Sequence, residues 1–562
     1  MKLPRTCPKS SDSSSASDTA PQFTATKLRR ARGEGTGASE RGRPGSARSA
    51  FFVAAGILLS RLTGLIRQRV FSHYFGLRND VADAFTAAVR IPNFLQNLFG
   101  EGALSASFIP VYASLLARGD RREADRLAGA IAAGLALIVS VLVLVGVVAT
   151  PLFIAAIAPG FHGEKRALTI QIVRVLFPGA GLLVMSAWCL GVLNSHHRFL
   201  LSYASSAMWN AAMIATLVIF GGTDLPRLAI LLAWGSVAGC VLQFLVLVPV
   251  VWRVAPDLRF ALDTTSDHVR TIASNFTPVL VSRGVVQVSA YIDALLASLL
   301  GTGAVTGLQN ASTLYTLPVS LFGMSVSAAE LPAMSSIASG DPAAIDAVRR
   351  RLNIGLRRIA YFVVPSAMAF LALGDVVVGA LFQTGRFDRI DSLYVWGILA
   401  GSAVGLLAST LGRLYSSTYY ALRDTKTPLR FAIVRVVLTT VLGYLFAIPL
   451  PPALGLPRMW GAAGLTASAG IAGWVEMLLL RTTLNRRIGD TGLTVPYVVQ
   501  LWGAAAAGAA GAWTLKLTIG PRNPILLAAV VLGAYAVVYI GATVGLRVPE
   551  AGSVIARLKR SS

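Results

Sequence analysis

Charged side chains interrupt several long apolar segments of this sequence, and they mark where its chemistry should lie. The first two segments contain Arg61, Arg67, Asp83 and Arg90. A charge at the centre of a bilayer costs at least about 2.5–3.5 kcal/mol, so an ion kept there indicates a functional site. A guanidinium group can bond two phosphate oxygens at once, so a cavity lined by arginines predicts an anionic, phosphate-bearing ligand.

The spacing of the first two arginines places them on neighbouring helix faces. Arg67 follows Arg61 by six positions, which is about 9 Å along a helix and about 120° around it. We expect both to line one cavity wall, with Asp83 beside them. The alternative is that Arg67 and Arg69 extend to the outer interface while Asp83 and Arg90 form structural pairs with them.

Long helices must position these residues, because the composition is that of an all-α integral membrane protein. Of 562 residues, 54% are hydrophobic and 14% charged, and a span needs roughly twenty mainly apolar residues. About fourteen transmembrane helices are predicted, at 51–75, 81–117, 124–157, 166–194, 200–221, 227–252, 270–300, 303–337, 350–382, 391–421, 428–450, 459–480, 494–518 and 524–546.

The basic residues predict the topology of the chain. The net charge of +24 comes mainly from the N-terminal tail and from short connections, a distribution typical of cytoplasmic loops rather than of a nucleic-acid-binding surface. We therefore expect no nucleic-acid partner and two cytoplasmic termini. Residues 1–49, rich in Ser, Arg and Gly without an apolar core, are predicted to be a disordered basic tail.

An internal repeat divides the remaining chain into two lobes. Three landmarks recur in order and with matching spacing: Ser60-Arg61 with Ser282-Arg283, Phe99-Gly100 with Phe322-Gly323, and Pro110 with Pro332. Six spans separate the copies, so the repeats should be parallel and surround a central cavity. The predicted parts are a first lobe of spans 1–6, a second lobe of spans 7–12, two further helices and a cytoplasmic C-terminal tail, at 50–260, 261–490, 491–548 and 549–562.

The same repeat makes predictions about further intramembrane charges. Arg283 stands at the Arg61 position of the second lobe, and parallel symmetry directs it towards the same cavity. The other charges within apolar segments are interpreted as interhelical pairs or interface residues, namely Arg174, Glu330, Arg413 and Glu476.

The motifs of several enzyme classes are absent from the sequence. It has no HExxH, GxxxxGK[ST] or CxxC motif, and its three cysteines and five histidines show no metal-ligand spacing. We expect no metal site, no cofactor and a transporter rather than an enzyme. The rival class is a polytopic polyprenyl-phosphate glycosyltransferase, which would need acidic catalytic residues on a sizeable outer loop.

Four sequence stretches resemble a known family. They are SRLTGLIRQRVFSHYFG, DVADAFTAAVRIPNFLQNLFGEGALSASFIPVY, LFQTGRFD and YYALRDTKTP, which begin at Ser60, Asp80, Leu381 and Tyr419. With fourteen spans, they are similar to the lipid II flippase family MurJ (MviN), of the multidrug/oligosaccharidyl-lipid/polysaccharide exporter superfamily. The resemblance covers about residues 50–545.

The resemblance implies site residues. Arg61, Arg67 and Asp83 match family cavity positions. Supporting signature positions are Ser60, Arg90, Pro92, Asn93, Glu101 and Gly102. Gln96 and Thr313 stand where many members have cavity arginines, and Gln68 replaces a common Asp. Arg283 is our candidate for the missing second-lobe charge.

The implied activity is lipid II flipping in peptidoglycan and cell wall biogenesis. The expected cargo is undecaprenyl-pyrophosphate-disaccharide-pentapeptide, moved by alternating access across the bacterial cytoplasmic membrane. The membrane potential or a coupling ion would drive it, and other cell-wall synthesis proteins are candidate partners. The nearest rival is an exporter of other polyprenyl-linked oligosaccharides or of drugs, from the same superfamily.

Overall fold

A computed structural model describes residues 44–99, 101–196, 198, 201, 204–262, 266–337, 341–520 and 523–552. The chain divides into two units, residues 1–52 and 53–562. Of the first unit, only the helical backbone of residues 44–52 is described. The described residues form helices and connecting turns, with no β-strand among them, which confirms the all-α class.

The helices of the first lobe follow the predicted apolar segments. Within the described residues they are α1 Pro44–Phe75, α2 Asp80–Phe99, α3 Glu101–Arg118, α4 Arg121–Val148, α5 Thr150–Ile157, α6 Gly163–Ser195, α7 Ser206–Phe220 and α8 Leu225–Val254. Helix α6 is the centre of this lobe, because most of its apolar length is buried by its neighbours.

The second lobe and the C-terminal helices continue the chain. Their helices are α9 Asp267–Ser298, α10 Ala304–Pro318, α11 Ser325–Ser335, α12 Pro342–Ala372, α13 Gly374–Phe382, α14 Arg389–Val404, α15 Leu406–Ala421, α16 Lys426–Ala447, α17 Leu450–Ala453, α18 Gly461–Ile488, α19 Val495–Ile519 and α20 Pro524–Gly545. A π-helical turn, Val319–Met324, joins α10 to α11.

The two lobes repeat one order of helices. Each begins with a helix of 32 residues, α1 or α9. In each, a second segment follows that comprises two described helices, α2 and α3 or α10 and α11, and a third that ends in a short helix, α5 or α13. This order supports the parallel repeat. The lobe boundaries themselves stay a prediction.

Close backbone approach explains one break in the second lobe. Helices α14 and α15 bend by 41° at Gly405. A Cβ atom added there would lie 2.3 Å from the Cα of Gly470 on α18. Only glycine at both positions allows this crossing, so the sequence fixes the bend through packing rather than through proline.

Among the described residues, eight helical segments are long and apolar enough to cross a membrane, counting α10, the π-helical turn and α11 as one, or nine if the bent pair α14–α15 is also one span. Every predicted span coincides with a helix or a run of broken helices, but the number fourteen stays a prediction. Large apolar side chains are strongly exposed on outward faces, as at Val148, Ile219 and Val537, each about 70% exposed. Such surfaces match a lipid surrounding.

Candidate central cavity

A cavity of about 640 Å³ lies between helices of the two lobes. Its wall is formed mainly by α1, α2, α6, α7 and α10. The predicted site residues on this wall are Ser60, Arg61, Arg67, Asn93, Gln96 and Thr313. We call this space the arginine chamber. The spacing argument therefore placed Arg61 and Arg67 on one wall, as the structure does.

Arg67 is a half-buried cation that has no counter-ion among the described residues. Its guanidinium carbon lies 4.9 Å from the ring centroid of Trp209, and one terminal nitrogen lies 3.8 Å from the sulfur of Met213. Its Nε atom is buried and has no hydrogen-bond partner. Among the described residues, no carboxylate lies within 4.0 Å of Arg67 or of the more exposed Arg61. Both cations are therefore available to an anion that enters the chamber.

Several uncharged polar residues of the chamber already form hydrogen bonds within the protein. Ser60 accepts a hydrogen bond from Ser206 at 2.7 Å. Gln68 donates to Asn310 of α10 at 2.7 Å, which joins the lobes. The Thr313 hydroxyl bonds the backbone of its own helix at 2.9 Å. Thr313 is thus a neutral wall residue in this arrangement.

A second cavity, of about 440 Å³, adjoins the first. The two share the wall residues Asn93, Asn97, Gln309 and Ser312. Its charged residues are Arg90 of α2, Asp293 of α9 and Arg435 of α16. We call it the mixed-charge chamber.

Sequence reasoning missed Arg435, although a signal was present. It is a lone cation within the apolar stretch FAIVRVVLTTVLGYLFA. In the structure it donates to Glu476 of α18 at 3.0 Å. The interpretation of Glu476 and Glu330 as members of interhelical pairs is confirmed, since Glu330 bonds Arg351 at 2.5 Å.

Asp83, which was predicted to line the cavity, lies outside both chamber walls in the structure. It is fully buried and pairs with Lys165 of α6 at 2.9 Å. Its carboxylate also accepts from the backbone N–H groups of Gly303 and Thr306, at 2.7 and 3.0 Å, and from the Thr306 hydroxyl. Asp83 therefore caps α10 from the opposite lobe, where backbone N–H groups lack partners within the helix. Lys165 gave no sequence signal, because the predicted span begins only at residue 166, whereas in the structure α6 already includes Lys165.

Further contacts join the lobes at the same end of the bundle. Arg78 binds Asp388 and Asp391 at the start of α14, both at 2.6 Å. Arg69 donates to the carbonyl oxygens of Ala380 and Leu381 at the end of α13, at 2.6 and 3.0 Å. The topology prediction makes this the extracytoplasmic end. We refer to the contacts of Asp83, Arg78 and Arg69 as the outer contacts.

Four predicted site residues cannot be placed in full. The backbone of Arg283 lies in α9 and that of Pro92 in α2, while Glu101 and Gly102 begin α3. Their side chains lie outside the described residues. Their roles stay predictions.

Comparison with known proteins identifies the family. The family model for lipid II flippase MurJ matches residues 71–531. The chain belongs to the MurJ family. A curated lipid II flippase MurJ from Burkholderia cenocepacia is 31% identical over 518 residues, 88% of this chain and 96% of the relative.

Solved structures show the same fold. A lipid II flippase MurJ in an inward closed conformation matches with a TM-score of 0.73 and 22% identity, covering 88% of this chain and 99% of the other. An inward-facing MATE family multidrug transporter matches with a TM-score of 0.59 and 17% identity, covering 75% and 98%. The MurJ and MATE transporters therefore share the helix arrangement described above.

Proposed function

We propose that this protein flips lipid II across the cytoplasmic membrane for peptidoglycan assembly. Membership of the MurJ family supports the cargo class. The observation that carries the proposal is the pair of cavity arginines, since Arg67 packs against Trp209, its Nε atom is buried, and no described carboxylate pairs with it. A cation withdrawn from water in this way is costly unless a ligand pairs with it.

The proposed mechanism begins with the pyrophosphate in the arginine chamber. Arg61 and Arg67 lie on one wall and can bond its oxygens bidentately. Arg283 is proposed as a third cation on the basis of the repeat. The disaccharide-pentapeptide head would fill the polar space between the lobes, and the polyprenyl tail would stay in lipid.

Alternating access would then require the outer contacts to break. In the structure these contacts hold α1, α2 and the connection between them in one lobe to α10, α13 and α14 of the other. Their loss would let the lobes part at the extracytoplasmic end and release the head there. Because these contacts are ion pairs and hydrogen bonds, they can re-form after each transport cycle.

The energy source in this proposal is the membrane potential. A potential negative inside favours outward movement of an anion by about 2.3 kcal/mol per charge per 100 mV. The cargo pyrophosphate is such an anion. A coupling ion is the alternative driver, and export of another polyprenyl-linked oligosaccharide or of a drug is the alternative function.

The proposal is tested by complementation of a strain depleted of its lipid II flippase. Wild type should restore outward movement of lipid II, while Arg61→Ala and Arg67→Ala should fail at normal membrane abundance. Lys at either position should recover part of the activity, because it keeps the charge but loses the bidentate fork.

Arg174→Ala is the matched control. Arg174 lies on α6 of the same lobe, is exposed, and is not among the cavity wall residues. It should complement fully. Full complementation by both cavity variants would contradict the assignment, and failure of wild type to change lipid II sidedness would contradict the function.

A further inference from the structure

The mixed-charge chamber has a composition that a pyrophosphate site would not need. It presents the guanidinium groups of Arg90 and Arg435 together with the carboxylate of Asp293. An anionic ligand alone would be repelled by Asp293, and a cationic ligand alone would be repelled by the two arginines. The chamber therefore fits a ligand that carries both signs of charge.

Asp293 has bonding capacity that the described protein does not use. Asp293 is attracted electrostatically by Arg90 and Arg435. It nevertheless forms no hydrogen bond and no ion pair within 4.0 Å with any described residue. A half-buried carboxylate that lines a cavity and has no partner among the described residues is expected to pair with a ligand group.

The two arginines are held in place and still have free donors. Arg90 donates to Gln309 at 3.2 Å, and Arg435 donates to Glu476 at 3.0 Å. Each of these contacts occupies one of the five N–H donors of a guanidinium. The contacts orient both side chains and leave donors that can bond a carboxylate.

Small residues leave room beside these charges. The wall of the second lobe includes Ser402, Gly405, Ser409 and Gly470. The volume of about 440 Å³ lies in the range of sites for drug-sized ligands. A short peptide segment fits such a space, and the wall shared with the arginine chamber would let one molecule occupy both.

We infer that the mixed-charge chamber binds the peptide part of the cargo, with Asp293 pairing an ammonium group and Arg90 and Arg435 pairing carboxylates. This inference rests on the proposed function. The pyrophosphate is purely anionic and the disaccharide carries no ammonium group. A stem peptide with a free side-chain amine is the part of the cargo that offers both charges.

The test is binding of three synthetic probes to the full chain in nanodiscs. The first probe is a short-chain lipid-linked disaccharide-pentapeptide with a free side-chain amine. The second carries the same amine acetylated, and the third lacks the peptide. Wild type should prefer the free amine over the acetylated form by roughly tenfold to a hundredfold, the usual effect of one charged hydrogen bond.

Asp293→Asn should remove this preference and leave binding of the peptide-free probe unchanged. Asp267→Asn is the matched control, because Asp267 lies on the same helix, is exposed, and is outside the chamber. The control should keep the preference. An Asp293→Asn protein that still prefers the free amine would overturn the inference.

The wild-type comparison alone keeps the inference testable if the variant fails to fold. Equal binding of the free and acetylated probes would overturn it while leaving the proposed function intact. Binding of no lipid-linked probe above that of undecaprenyl phosphate would instead contradict the proposed function.

Discussion

Removing the Asp83 carboxylate should release one side of the lobe interface. Of its four polar contacts, those to Gly303 and Thr306 cross to the opposite lobe, and only that to Lys165 stays within its own. Breaking a buried charged interaction costs about 3–5 kcal/mol. Lys165 keeps a second partner in Asp80 at 3.0 Å, so we take the low value for Asp83→Ala. About 3 kcal/mol corresponds to more than a hundredfold shift towards separated outer ends.

The shift can be measured as a distance between spin labels in a cysteine-free background. Suitable label sites are Gly222 and Leu454, both exposed and in connections of different lobes. A Cβ atom at Gly222 meets no atom within 4 Å. Wild type should give one short distance, and Asp83→Ala should add a population at longer distance.

Asp80→Ala is the control for this measurement. Asp80 binds the same lysine and accepts a hydrogen bond from Thr302 of the opposite lobe at 2.7 Å. Its side chain is 58% exposed, and exposed contacts of this kind contribute about 0–1 kcal/mol. Its distance distribution should stay near that of wild type. An unchanged distribution for well-expressed Asp83→Ala protein would refute the role of this carboxylate in holding the lobes together.

Three further predictions concern other parts of the chain. Arg283→Ala should be as damaging as loss of the first-lobe arginine, and Thr313→Arg should restore part of the activity in complementation; a fully active Arg283→Ala protein would rule this out. Deletion of residues 2–45 should leave transport largely intact, because the tail has no apolar segment to pack, and a truncated chain that inserts but does not support growth would contradict this. The pKa of Asp424 is lowered to about 2, mainly by a hydrogen bond from the backbone N–H of Thr427 and further by Arg487. The resulting stabilisation is present above about pH 4 and lost as the pH falls towards 2, so Asp424→Asn should lower the melting temperature at pH 7, and the gap to wild type should close in acid.

The sequence predicted the helical segments well, because hydrophobic length in a bilayer is a local property. It predicted the break in segment 303–337 only in part. Pro318, a local signal for a kink, directly precedes the π-helical turn Val319–Met324. The packing of Gly323 in that turn against Thr410 involves a helix almost ninety positions away, which no local pattern reveals.

The candidate site was predictable where helical spacing decided the geometry and not where tertiary contacts did. Arg61 and Arg67 share a wall because both lie on one helix. Asp83 was expected on that wall and lies outside it, since its partners are Lys165 on α6 and Gly303 directly before α10, both distant in the sequence. The mixed-charge chamber combines Arg90, Asp293 and other residues from separate helices, so only the structure could assemble it.

Among the outer contacts, that of Arg69 differs because its acceptors do not change with pH. Its acceptors are main-chain carbonyl oxygens of Ala380 and Leu381, which do not titrate in the physiological pH range. A fall in pH at this end of the bundle would therefore leave these acceptors unchanged. Genetic drift at positions 380 and 381 would also preserve them, because every amino acid supplies the same carbonyl group. This one attachment between the lobes should therefore tolerate both acid environments and sequence divergence on its acceptor side.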